Sequence, residues 1–495
     1  MAFFSHDNSL WFRVISALHG SNLMAFFTSY SSIWSTIIKE VNSLKAQGVD
    51  LLSHYGKNLP PSPPSIPIIG HLHLMKGSIH RVLLNLSLKY GPIMALRFGL
   101  RRVHVISSPS VAEECFTKND IVSANRPLLL SGKYLDYGHT TVGAAPYGQL
   151  WRDLRHIMTL ELFSTTKLKS YMSVRQEEVN SLVKDLYQEC SQDFTRAEMR
   201  SRIQGLSFNI LMRTVANKLF YGSDGYEKKL SKLQHKSDTF SQNLIDEIRS
   251  KRSSSSSDEG KSKTFINAML SFQDSEPDYY TDDIIKGNIL TLLQAGTDTS
   301  SVTIEWAVSL LLNHPEVLKR ARAELDKNIG HERLVQETDL PNLPYIQCII
   351  SETLRLFPAA PLLVPHEASE ACTIGGFDVA RGMMVLVNAW AIHRDPILWD
   401  DPLSFKPERF DKLNVNQGCR FIPFGMGRRQ CPGSGLANRV VGMALSSLIQ
   451  CFTWKRVGEE LVGLSEGKSL SMPKYEPLEA MCRPRKRMNH VLMGA

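Results

Sequence analysis

From about Val111 to Arg355 apolar positions recur with the period of a helix, and this stretch predicts a succession of helices. Before it, Ile93 to Phe98 and Val103 to Ile106 are short apolar runs on either side of Gly99-Leu100-Arg101-Arg102, the pattern of a hairpin. Beyond Pro358, prolines, glycines and short β-branched runs take over until a last helix, expected to start near Gly433. No internal repeat interrupts this order. The fold class predicted is mainly α with small β-sheets. Five consecutive serines, Ser253 to Ser257, flanked by charge, predict a flexible surface loop, with phosphorylation as a second reading.

The first residues follow another pattern. Val14 to Ile38 contains no Asp, Glu, Lys or Arg and is long enough to cross a bilayer, but eight Ser or Thr residues, His19 and Asn22 dilute it. Lys39, Lys45 and Lys57 follow it and only Arg13 closely precedes it, an asymmetry that would leave the body of the protein on the cytoplasmic side. Residues 1–58 are thus a leader and candidate membrane anchor; an amphipathic or irregular leader is the alternative. Met-Ala-Phe-Phe occurs at Met1 and again at Met24, which offers a second start. Residues 59–70 hold five prolines within eight positions, which excludes helix and favours a stiff polyproline-like hinge. A ligand for an SH3-type domain is the other reading, but Ile68-Ile69-Gly70 looks like entry into a core. Residues 71–495 form the main domain.

Composition narrows the function classes. Of 495 residues 43% are hydrophobic and 21% charged, enough apolar material for a substantial core. The net charge of +8 is spread out and lies beside no nucleic-acid recognition motif, so no nucleic acid is expected. A membrane surface or an acidic protein partner suits a diffuse basic excess better. The eight cysteines are sparse and irregular with no CxxC pair, which argues against a disulfide scaffold, a zinc ribbon or an iron–sulfur cluster.

One cysteine stands in a distinctive loop, Phe424-Gly-Met-Gly427-Arg-Arg429-Gln-Cys431-Pro-Gly433. Each position has a role if Cys431 is the axial thiolate of a haem iron, the metal ligand proposed here. The thiolate donates electron density that favours O–O cleavage. Gly425 and Gly427 let the backbone pass close to the porphyrin, and Phe424 covers the sulfur. Arg429 can pair with a propionate, and Gly433 lets the next helix start tight against the ring. The plain alternative is a glycine-rich loop around a buried cysteine.

The pattern FxxGxRxCxG resembles the haem-ligand loop of the cytochrome P450 enzymes, and further landmarks of that family appear in order after Leu59. The resemblance implies the cytochrome P450 fold and haem (iron protoporphyrin IX) as cofactor. Ala295-Gly296-Thr297-Asp298-Thr299-Ser300 is similar to the oxygen-activating helix. Thr299 lies four residues after Ala295, so its hydroxyl can bond that carbonyl and open the helix locally. Gly296 is expected to leave room for O2, and Asp298 with Thr299 to relay protons as the catalytic pair. A polar kink without chemistry is the alternative.

Glu352 and Arg355 share a helix face, and with Arg409 of Pro407-Glu-Arg409-Phe they match the family's buried charge network behind the ligand loop. Trp151 and Arg155 sit on one helical face, which in the family meets the haem propionates; His366 occupies another such position. Ala360 to Val364 and parts of Tyr134 to Thr141 should line the pocket. The similarity is to plant microsomal members, nearest the isoflavone 2'-hydroxylase-like enzymes.

It implies a monooxygenase that hydroxylates a small apolar, aromatic, flavonoid- or isoflavonoid-like plant metabolite. O2 is the oxidant and NADPH–cytochrome P450 reductase the electron donor, at the endoplasmic reticulum membrane on its cytoplasmic face. Arg428 and Arg439 would contribute to a basic docking surface for the reductase. No flavin or nicotinamide fingerprint belongs to this chain itself. The chain departs from the family in a longer, more polar leader and in being a few tens of residues short between Trp151 and Ala295, around Gly222 to Tyr226. The region carries the pocket roof in the family, so the second expectation is a haem-binding but catalytically impaired variant. A membrane-associated structural protein without haem is the third.

Overall fold

The computed structural model describes residues 58–190, 193–219, 237–254, 264–411 and 418–494. The helices of eight or more residues among them are α1 (Ile79–Tyr90), α2 (Pro109–Phe116), α3 (Gln149–Met158), α4 (Met172–Glu189), α5 (Arg200–Ala216), α6 (Ser237–Ser254), α7 (Phe265–Ser275), α8 (Asp282–Asn313), α9 (Pro315–Asn328), α10 (Pro344–Leu356) and α11 (Ser434–Cys451).

α8, 32 residues long, is the axis around which the others pack. The hydroxyl of Thr281 caps it by accepting the Ile284 N–H, and Asp282 and Asp283 favour the positive end of its dipole. From Ser300 to Leu312 every residue is buried, and a helix with no polar face can only lie inside. α5 runs against it on one side; α10 and α11 pack on others. Prolines at the first turn start α2, α9 and α10, where a missing N–H costs nothing.

Among the described residues, nine short strands make three small sheets. β1 (Ile93–Phe98), β2 (Arg101–Ile106), β7 (Met384–Val387) and β4 (His366–Glu367) lie in the order β1-β2-β7-β4, with β2 and β7 parallel. β3 (Thr195–Glu198), β9 (Glu479–Pro484) and β8 (Phe452–Lys455) form a second sheet that ties the C-terminal region to the middle of the chain. β5 (Cys372–Ile374) and β6 (Phe377–Val379) form a third, two-stranded sheet.

Several expectations shift in detail. The hairpin is tighter than expected: Arg101 and Arg102 belong to β2, because Phe98 pairs with Arg101 and Gly99 takes φ +63° in a two-residue turn. The first serines of the serine run complete α6; the rest lie outside the described residues. The last long helix has Gly433 as its N-cap, as its position suggested. Proline-rich residues 59–70 contain no helix and are fastened to the body. Pro61 accepts the Ala95 N–H at 2.9 Å, and His71 bridges the Pro63 carbonyl to the Arg97 N–H, each at 2.8 Å. Residues 1–57 of the leader expected at 1–58, and the short stretch at 222–226, lie outside the described residues. Among the described residues no helix is long and apolar enough to cross a membrane.

Candidate active site

The loop around Cys431 is built by its glycines. Gly425 and Gly427 take φ +70° and +71°, a region that favours glycine. A Cβ on Gly427 would come within 2.5 Å of the Asp120 carboxylate and 2.9 Å of the Phe116 carbonyl, so α2 also forbids a side chain there. The loop closes on itself through the Cys431 N–H, which donates to the Phe424 carbonyl at 2.9 Å. Phe424 packs on the edge of the main core. Burial is the largest influence on the Cys431 thiol and raises its pKa; the N–H groups of Gly433 and Ser434, at the start of α11, and the charge of Arg155 pull the other way. The same side chain keeps exposed surface. Cys431 is thus closely surrounded by protein yet keeps surface on which a ligand can bear. A Cβ on Gly433 would rest against the Cys431 sulfur and the Phe163 ring at 3.9 and 3.7 Å.

Three guanidinium groups converge beside this loop. Arg429 donates to the carbonyls of Ala124 and Ala145, both at 2.6 Å, and of Val142 at 3.4 Å, and lies 4.4 Å over the ring of buried Trp151. Arg126 is buried and donates to the carbonyls of Gly143, Val364 and Pro365. Arg155, on α3 one turn from Trp151, is half-buried, and its guanidinium has no hydrogen-bond or ion-pair partner among the described residues. None of the three is paired with Asp or Glu among those residues. Burial, then the charges of Arg126 and Arg155, press Arg429 down to about 9, and burial presses Arg126 to about 10; both remain cations at neutral pH. Concentrated positive charge without a counter-ion is costly, so the cluster demands an anionic ligand. A thiol on a glycine loop at the foot of a helix, with three unpaired guanidiniums, fits a metalloporphyrin carrying two carboxylates.

His366 sits among these cations on β4, against Phe116, and burial lowers its pKa to about 3. Its Nδ1 lies 2.7 Å from the Ser123 carbonyl, a pairing that requires Nδ1 to carry the proton. To donate to a propionate as well, the ring would need a second proton, so the role expected of His366 holds only if it is protonated.

On α8 the Thr299 hydroxyl donates to the Ala295 carbonyl at 2.6 Å, the bond its spacing predicted. The helix does not open there, since α8 continues unbroken from Asp282 to Asn313. Gln294 and Ala295 are exposed in the middle of this otherwise mostly buried helix, so this turn faces open space. Asp298 and Thr299 are neighbours without a direct hydrogen bond among the described residues. While the hydroxyl serves Ala295 it is free to accept from another donor. A second role for Gly296 comes from the packing of α5 on α8. Its missing Cβ would lie 2.8 Å from Cδ1 of Leu211 on α5, so its smallness serves the close packing of α5 on α8.

Glu352, Arg355 and Arg409 meet in the interior. Arg355 donates Nε and Nη2 to the two oxygens of Glu352, both at 2.7 Å, and Arg409 Nε adds a third bond at 3.2 Å. Glu352 and Arg355 have no exposed surface. Of the expected pocket walls, Tyr134 is exposed, whereas Tyr137 donates to Asp238 of α6 and packs over Gly287 of α8 with Thr141. Sequence reading missed Arg126, whose signal was only a lone Arg before Pro127. It also missed Asn288, which fastens the segment 140–142 to α8 by accepting the Val142 N–H at 2.9 Å and donating to the Thr140 carbonyl.

Comparisons with known proteins give the family. The family model described as Cytochrome P450 matches residues 60–244 and 217–478. The chain is 49% identical to cytochrome P450 81Q32 of Catharanthus roseus over 480 residues, covering 89% of this chain and 94% of the relative. It is 48% identical to (+)-piperitol/(+)-sesamin synthase of Sesamum radiatum, covering 88% and 92%. It is 44% identical to isoflavone 2'-hydroxylase of Glycyrrhiza echinata, covering 88% and 94%. In the first of these, 480 aligned positions draw on 89% of 495 residues, about 440, so some 40 positions of the relative have no counterpart here. The solved structure of a zebra fish cytochrome P450 with abiraterone superposes with a TM-score of 0.73 at 27% identity, covering 83% of this chain and 99% of that one. The chain therefore belongs to the cytochrome P450 family, and is a haem-binding monooxygenase, an oxidoreductase that uses O2, a redox partner and a small substrate.

Proposed function

We propose that the protein hydroxylates a small, apolar, aromatic plant metabolite of the isoflavonoid or lignan kind, with electrons from NADPH–cytochrome P450 reductase at the endoplasmic reticulum membrane. The observation that carries the catalytic part of this reading is the deep, accessible Cys431 sulfur beside three guanidiniums without counter-ions. The substrate class rests on relatives named as isoflavone hydroxylases and as a piperitol/sesamin synthase.

Bound at Cys431, the haem supplies the oxygen-activating chemistry. Arg126, Arg155 and Arg429 would hold its two carboxylates, and Trp151 packs beneath Arg429. Phe424 keeps water from the sulfur, and Gly433 brings the α11 amides to it. Thr299 Oγ1 receives and passes on a proton on the oxygen-binding side, and Asp298, at the open turn of α8, exchanges that proton with solvent. The network of Glu352, Arg355 and Arg409 supports the ligand loop from behind. The roughly 40 unmatched positions, and a family match in two pieces that meet at 217–244, support a pocket roof shortened near 222–226. The relatives are named as working enzymes and lend no support to a chain that binds haem without turnover.

The test is co-expression with the reductase in microsomes and incubation with NADPH and a panel of isoflavones and lignans. The expected result is an NADPH-dependent product one oxygen heavier. Intact thiolate-ligated haem with no product from any aromatic substrate would overturn the substrate class.

A further inference from the structure

Between the buried charge network and the ligand loop stands a residue that neither comparison nor motif assigned. His393 follows the short helix Ala389–Ile392 and has no exposed surface. Its carbonyl accepts from Arg355 Nη1 at 2.8 Å, so its backbone is fixed by the cation that Glu352 holds. Its ring reaches the other way. Nε2 accepts the N–H of Ile422 at 2.9 Å, and the ring lies 5.4 Å from that of Phe421. The Ile422 carbonyl in turn accepts the Gly425 N–H at 3.1 Å, and the neighbouring Phe424 carbonyl accepts the N–H of Cys431 at 2.9 Å.

These links run without a break from Glu352 through Arg355, His393 and Ile422 to the backbone of Cys431. An imidazole that accepts at Nε2 must carry its proton on Nδ1. Nδ1 is buried beside the Arg355 main chain without a partner of good geometry. Burial, with Arg394 and Arg355 adding to it, holds the ring neutral, its pKa near 3, so the acceptor lone pair on Nε2 is present at every physiological pH. Without that acceptor the Ile422 N–H would be left buried and unsatisfied, at the hinge of the loop that sets where the sulfur stands.

We infer that His393 is a positioning residue for the haem ligand, a strut whose ring passes the geometry of the Glu352–Arg355–Arg409 network to the loop carrying Cys431. The inference rests on thiolate ligation by Cys431 but makes a claim about this chain's own backbone that can be read separately.

The experiment compares full-length parent, His393→Leu and His393→Gln. Leu and Gln are similar in size, but only Gln restores an acceptor for the Ile422 N–H. Two readouts are taken: hydrogen exchange of the peptide spanning residues 421–427, and the fraction of reduced, carbon monoxide-treated protein that keeps the thiolate-type Soret band over time. His393→Leu should speed exchange in that peptide and loss of the band by roughly tenfold, the effect of one orphaned buried N–H, and His393→Gln should restore both. Leu and Gln behaving alike, or both behaving like the parent, would overturn the proposal, since only packing would then matter. If His393→Leu fails to fold while His393→Gln matches the parent, the need for an acceptor is met; if both fail, the strut is wrong. A parent without the thiolate band but with a protected 421–427 peptide would instead indict the ligation by Cys431.

Discussion

Replacing Glu352 by Gln removes one charge from the centre of the molecule and leaves two behind. The carboxylate accepts four bonds: Arg355 Nε and Nη2 at 2.7 Å, the Lys406 N–H at 3.0 Å and Arg409 Nε at 3.2 Å. Gln keeps one acceptor oxygen, and its amide turns two hydrogens toward a guanidinium that has only donors. Water cannot take over, because Glu352 and Arg355 have no exposed surface and the remaining Arg355 donors are already held by the carbonyls of His393, Pro402 and Ser404. Breaking one side of a buried, fully bonded pair costs about 3–5 kcal/mol. Set against a total stability of about 5–15 kcal/mol, that is a third or more of what holds the fold. Urea unfolding of the purified protein, read together with haem bound per chain, measures both consequences. Glu352→Gln should lower the unfolding free energy by about 3 kcal/mol or more and leave haem occupancy at a minor fraction. Full haem content and a change of under about 1 kcal/mol would refute the reasoning, because the charges of Arg355 and Arg409 would then be balanced elsewhere.

Four other outcomes follow from the same contacts. Cys431→Ala should abolish the thiolate-type Soret band of the reduced, carbon monoxide-treated protein while far-ultraviolet circular dichroism stays unchanged. Arg126→Gln should weaken haem retention by about ten- to a hundredfold, as expected for a lost charge-assisted bond, measured by transfer of haem to an apoprotein acceptor. Gly296→Ala should displace the end of Leu211 on α5, a strain that offsets the roughly 0.5–1 kcal/mol Ala gains over Gly within a helix, and shortening Leu211 to Val should uncover that gain; additive effects in a double-mutant cycle would argue against the contact. Finally, His104 and His393 are buried with pKa values lowered by burial to about 4 and about 3. Both are neutral when folded, so the stability they contribute is complete above the unfolded value near 6.5 and falls as pH drops below it. Each subtracts up to about 1.4 kcal/mol per pH unit until its folded pKa is reached. Urea midpoints between pH 7 and 5 should show this slope, and His104→Gln should make it shallower.

Local chemistry alone was enough for much of this. The helical period could be read between Val111 and Arg355 because a helix repeats its buried face every turn, whatever it packs against. The strands of the first hairpin and the start of α11 at Gly433 follow from turn and capping chemistry that acts within a few residues. The Cys431 loop carries its own signature, since positive φ angles, a thiol and a helix N-terminus are set within ten positions.

What tertiary structure decided lies between residues distant in the chain. The sequence cannot show that Leu211 lies against the space a side chain at Gly296 would fill. Arg126 carried no motif, and it gained meaning only when the fold set it beside Arg429 and Arg155 with no carboxylate to balance them. The tautomer of His366 depends on the carbonyl of Ser123, more than two hundred residues earlier. The path from Glu352 to Cys431 exists only because the chain folds His393 between them. Periodicity and loop chemistry are written in neighbouring residues; charge balance, close packing and the sharing of protons are properties of what the fold brings together.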